Sequence, residues 1–191
     1  MRKKDNQKFQ NILEEAARLV IEGGIANAST NKIAKGLNIS QSSIYIYFKN
    51  REEIMLTLYL RELKRMYAEI EFDGSNMPVE EALRKSIRLL FAYASKNLDR
   101  MQLIIRLKDA MKSDSPIVNA VKSIVDASQV QQMMYRGIKN RDLRQLDISF
   151  HRNNIFSTVM LHAQNIQNGV YTEKEVPLKQ VEDMIVAAEI E

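Results

Sequence analysis

Breaks are scarce in this chain. Three prolines and six glycines are spread over 191 residues, which leaves few places to turn and favours long helices over many short strands. Between the breaks, apolar side chains recur every three or four residues. From Asn6 to Gly23 the set Phe9, Ile12, Leu13, Ala16, Ala17 and Val20 lines one helix face. Gly23-Gly24 then ends it, because glycine accepts the left-handed conformation of a helix end. The pattern predicts an all-α protein of about nine helices. With 45% hydrophobic and 27% charged residues, the composition is that of an ordinary globular protein.

The segment after Gly24 is more specific. Ser29 and Thr30 are both suited to cap a short helix in which Ile33, Ala34 and Leu37 share a face. Asn38 follows, the best non-glycine residue for a left-handed turn. Ser40 can cap a third helix over 41–47, which completes a helix, a short turn and a second helix. Asn50 can cap a fourth, with Glu52 and Glu53 in its first turn where carboxylates suit the positive end of the helix dipole. The run Asp73-Gly-Ser-Asn-Met-Pro78 is the clearest interruption, and the expected domains are residues 1–72 and 73–191. Beyond it, helices are predicted near 79–97, 99–113, 116–138, 147–168 and 177–190, with Ser115-Pro116 and Val176-Pro177 as starts and Gly169 as a stop.

Charge is distributed unevenly. Residues 1–51 carry nine Lys and Arg against four Asp and Glu, and the remainder nineteen against twenty. A basic front on a nearly neutral body fits a module that binds a polyanion, and equally a solvated basic end. Lys3 and Lys4 have the same two readings, as an arm on phosphate or as a tail. Zero cysteines removes disulfides and thiolate chemistry. The start Met-Arg-Lys-Lys-Asp-Asn-Gln lacks the apolar stretch of a secretory signal, and no long apolar run can span a membrane, so a cytoplasmic protein is expected. The two histidines, His151 and His162, are eleven residues apart, about 16 Å along a helix. They cannot share a metal within the chain. No glycine-rich phosphate loop or two-histidine metal motif appears, so neither an enzyme nor a cofactor or metal is expected.

On the third helix, Ile44 and Phe48 are four apart and can anchor it, which turns Gln41, Ser42, Ser43, Tyr45 and Tyr47 outward. Such a face suits a major groove: glutamine bonds adenine bidentately, serine reads several base edges, and tyrosine hydroxyls reach phosphates. Tyr45 and Tyr47 could instead pack in the small core, and Ser42 and Ser43 could be inert surface. The set Ile33-Ala34, Asn38-Ile39-Ser40 and Ile44-Tyr45-Ile46-Tyr47-Phe48 with Arg51 resembles the N-terminal signature of TetR-family transcription regulators over about residues 8–60.

The resemblance implies that Thr30 and Asn31 contact phosphate, that Gln41, Ser42 and Ser43 read bases, that Tyr45 and Tyr47 touch backbone or bases, and that Arg51 holds a phosphate. There are three departures from the family pattern. Asn38 replaces its usual glycine, Gln41-Ser42 a lysine-glycine pair, and Arg51 a lysine. Specificity therefore does not carry over from relatives.

For the body, the resemblance implies a homodimer on a double-stranded DNA operator, with the last two helices as a seam. Ile155, Val159, Met160, Ile166, Val181, Met184, Ile185 and Ala188 are the seam candidates; as bare sequence they fit an intramolecular core equally well. It also implies a pocket for a small-molecule effector among the middle helices. Phe91, Met101, Ile104, Ile105, Met111, Met133, Met134 and Phe156 are candidate lining, with Arg88 and Arg106 as candidate partners of an anion. Methionines and aromatics at this spacing also make plain core. The expected function is a ligand-responsive repressor, and the alternative is a helical ligand-binding or adaptor protein of the same fold without specific DNA binding.

Overall fold

A computed structural model describes residues 3–110 and 117–191. Met111 and the Ser115-Pro116 helix start lie outside them, as do the side chains of Lys3 and Lys4. Among the described residues there are ten α-helices and no strand: α1 (Lys3–Gly23), α2 (Thr30–Gly36), α3 (Gln41–Tyr45), α4 (Arg51–Ile70), α5 (Val79–Lys96), α6 (Leu98–Asp109), α7 (Ile117–Asp126), α8 (Gln129–Asn140), α9 (Ile148–Gln167) and α10 (Leu178–Glu189). A 3-10 turn at Ile25–Asn27 follows α1. None of these helices is long and apolar enough to cross a membrane.

The chain forms two compact units, residues 1–64 with 99–121, and residues 65–98 with 122–191. The expected division at Asp73–Pro78 is a break between α4 and α5, where the Asp73 carboxylate accepts from the Ser75 amide (3.0 Å) and hydroxyl (2.7 Å). The units divide earlier, within α4, and α6 belongs to the first.

In the first unit the apolar stripe of α1 becomes core, with Ile12, Leu13, Ala16, Ala17 and Val20 buried together with Ile33, Ile44 and Phe48. Phe9 stacks on Phe48 at 4.9 Å between ring centroids. Arg106 Nη1 donates to the carbonyls of Val20 (2.8 Å), which also accepts from the Gly24 amide, and Ile21 (2.9 Å), and so caps the end of α1. The expectation that Arg106 meets an anionic effector gives way to this capping role.

In the second unit α5 packs against α8, α9 and α10. Its buried face carries Ala82, Leu83, Ser86, Ile87 and Leu90. Arg84 and Arg88 both bond the buried carboxylate of Glu182 on α10, at 3.0 and 2.7 Å, and hold it below the usual carboxylate range. Arg88 thus ties two helices together. A single helix over 116–138 was expected, yet the chain breaks between α7 and α8. Ser128 is the reason: its hydroxyl accepts from the Gln131 amide (3.2 Å) and caps α8.

Candidate nucleic-acid interface

Local chemistry builds this site. Ser29 caps α2 by accepting from the Lys32 amide at 3.2 Å, and Thr30 is the first helical residue. Asn38 takes φ +53°, the left-handed conformation its type tolerates, and redirects the chain. Ser40 then caps α3 through the Ser43 amide at 3.3 Å. Asn50 accepts from the Glu53 amide (2.8 Å) while Glu53 accepts from the Lys49 amide (2.5 Å), a reciprocal cap that starts α4.

The regular part of α3 is shorter than expected, ending at Tyr45, after which Phe48 still bonds the Ile44 carbonyl at 3.1 Å. Ile44 and Phe48 are buried, which fixes the opposite face outward. Gln41, Ser42 and Tyr45 are exposed, while Ser43 and Tyr47 are half-buried. The Gln41 amide donates to the Thr30 hydroxyl at 2.7 Å and reaches the Tyr45 hydroxyl at 3.5 Å, so α2 and α3 share one polar surface. Asn31, Lys32, Lys35 and Lys49 are exposed. Arg51 is placed differently from a simple phosphate clamp: Nε donates to the Ala28 carbonyl at 2.8 Å and Nη2 donates to the Ile25 carbonyl. It ties the start of α4 to the segment before α2. Ile46, which sequence reasoning passed over, is 78% exposed beside Tyr45.

The second unit contains a small, partly open apolar cleft of about 40 Å³, lined among others by Ser86, Leu90, Met134, Ile155, Phe156 and Arg152. Of the expected pocket residues, Met134 and Phe156 line it. Met133 is buried, and Phe91 stacks on His162 at 5.2 Å, whose imidazole burial holds below its ordinary value. Met101, Ile104, Ile105 and Arg106 belong to the first unit and do not line it. Arg152, unmarked by any sequence pattern, donates to Gln131 at 3.3 Å.

The expected seam residues also divide. Ile155, Val159, Met160, Val181 and Ile185 are buried within the protomer, Ile166 is half-buried, and Met184 and Ala188 are exposed. Phe150 and Leu161, not anticipated, are exposed apolar side chains on α9. Their spacing of eleven residues, about three turns, places them on one face.

Two short capped helices joined by a left-handed turn, with a polar outer surface, define a helix-turn-helix DNA-binding head carried on a helical body. Residues 12–58 match the family described as bacterial regulatory proteins, tetR family, so the head is that of a TetR-family transcription regulator. It is similar to the fatty acid metabolism regulator protein of Bacillus subtilis (strain 168), 23% identical over 161 residues that cover 82% of each chain. Shorter matches to other helix-turn-helix regulators span 36% and 38% of those proteins. A TetR family transcription regulator from Marinobacter aquaeolei VT8 shares the fold over 100% of both chains, with a TM-score of 0.84 at 18% identity. The transcriptional regulator FadR from Bacillus subtilis, in complex with stearoyl-CoA, shares it over 94% of this chain and 98% of that one, with a TM-score of 0.60 at 20% identity.

Proposed function

We propose that the protein is a cytoplasmic repressor that binds a near-palindromic operator as a homodimer and leaves it when an effector occupies the second unit. It acts by binding and not by catalysis. The observation that carries this reading is the outer surface of α3, where buried Ile44 and Phe48 turn Gln41, Ser42 and Tyr45 toward solvent. Base-edge chemistry is concentrated on a helix of the size a major groove admits.

One such head touches few bases, so two-fold pairing supplies the second half-site about one turn of DNA away, or a multiple of it. The exposed Phe150 and Leu161 of α9 and Met184 of α10 support a seam on this side of the second unit. The apolar lining with Arg152 matches the chemistry of a chain-like effector with an anionic head, the cleft widening from about 40 Å³ to admit it, and the stearoyl-CoA held by the similar FadR supports that class. Binding preferentially to one arrangement of the dimer is what releases DNA.

Footprinting on DNA upstream of the protein's own gene tests the reading. A protected near-palindrome is expected, with affinity falling steeply as salt rises, and with release on titration of stearoyl-CoA. Tyr45→Ala should weaken binding by at least about tenfold while the dimer persists. Flat, sequence-indifferent binding would favour the adaptor reading instead.

A further inference from the structure

We propose that Ile46 is a specificity-determining residue that reads the 5-methyl group of one thymine in each operator half-site. The inference rests on the DNA-binding reading above and asks what an uncharged side chain does on that surface. A single exposed apolar residue is ordinary on a protein surface. Its position is what matters here.

Ile46 has helical backbone angles, φ −68° and ψ −30°, so it extends α3 by one residue. Residues four apart on a helix are neighbours. Gln41 with Tyr45, and Ser42 with Ile46, therefore form one patch, opposite the buried Ile44 and Phe48. Within the patch the polar groups are already engaged with each other: Gln41 with Thr30 at 2.7 Å, and Ser42 with Ser40 at 2.8 Å between hydroxyls. Ile46 joins none of this and, at 78% exposure, adds nothing to the core. Phosphates offer no favourable contact to a side chain without a donor. Of the groups presented along B-DNA base edges, the thymine methyl in the major groove is the apolar one, and the minor groove has none. A β-branched side chain suits this contact, because its χ1 is nearly fixed in a helix and little freedom is lost on docking.

The test removes that methyl and nothing else. Wild-type protein first selects its operator from a random duplex pool; each thymine of the enriched half-site is then replaced by uracil, which keeps the base pair. Binding is read by fluorescence anisotropy at fixed low salt. Wild type should lose about fourfold in Kd at one thymine position for each half-site substituted, the scale of one methyl's burial. Ile46→Ser should be indifferent to uracil at that position and unchanged in its response elsewhere, while Ile46→Val keeps the sensitivity. Both variants should melt with wild type, since the side chain is exposed. Uracil sensitivity that persists in Ile46→Ser, or its absence from wild type at every thymine, overturns the proposal and leaves the DNA-binding reading standing. Failure of wild type to enrich any sequence overturns both.

Discussion

Arg51 shows how one side chain can have two roles that only geometry separates. By charge and position it matches a phosphate contact at the start of α4, but its Nε and Nη2 donate to the Ala28 and Ile25 carbonyls. Those acceptors precede α2, so the guanidinium fixes the segment that presents Thr30. Lysine carries the same charge as a single compact ammonium and cannot reproduce the planar fork that serves two carbonyls. Arg51→Lys should therefore destabilise the protein by about 1–3 kcal/mol, the range for hydrogen bonds to a charged group, and should weaken operator binding although the charge is kept. Urea unfolding checks the first outcome and anisotropy the second. Wild-type stability and affinity in Arg51→Lys, with loss only in a neutral variant, would restore the plain phosphate role. The ring of short-range signals around this residue was legible in the sequence: Ser40 and Asn50 act as caps, and Asn38 takes the left-handed turn. Arg51's partners were not, because nothing local to residue 51 announces carbonyls twenty-three and twenty-six positions away.

Among the helices, the legible boundaries are those written in capping chemistry and the illegible ones depend on packing. Gly23, the stretch before Pro78 and Gly169 all end or separate helices as their backbone preferences dictate. The break between α7 and α8 falls in a continuous apolar rhythm, and a cap hidden in that rhythm causes it. Ser128 with Gln131 three residues on has the spacing of a capping pair. The Ser128 hydroxyl also donates to the Val125 carbonyl at 2.8 Å, so one buried group closes α7 and opens α8. Ser128→Ala leaves the Gln131 amide without its cap, while the Val125 carbonyl keeps the Ser128 amide at 3.0 Å, and should cost about 1–2 kcal/mol, measured as a lower urea midpoint at unchanged slope. An unaltered midpoint would mean that packing alone holds the break. A rhythm of three and four residues likewise cannot tell an inward face of α9 or α10 from one left for a partner. Hence Ile155, Val159, Val181 and Ile185 looked the same as Met184 and Ala188, although the first four are buried in the protomer and the last two are exposed.

For the molecule as a whole, the division of labour follows from charge and from where apolar surface is left uncovered. The first 51 residues hold the basic excess and the helix-turn-helix, and the C-terminal helices hold the large exposed side chains Phe150, Leu161 and Met184. On the proposed reading, in which pairing supplies the second half-site, this apolar surface is the seam. Leu161 is the decisive position because it is 54% exposed in the protomer, so a change there should leave the fold intact. Across a two-fold axis a glutamate meets its own copy or a dehydrated apolar surface, and either is costly. Leu161→Glu should run as a monomer by light scattering at concentrations where wild type is dimeric, with an unaltered helical spectrum and melting point. Its operator affinity should fall by more than about a hundredfold, toward the level of non-specific binding, because each head then holds its half-site alone. Ile155→Glu provides the contrast: at 5% exposure its charge would be buried inside the protomer and should unfold it. If Leu161→Glu remained a dimer with full affinity, the pairing surface would have to lie elsewhere on the molecule.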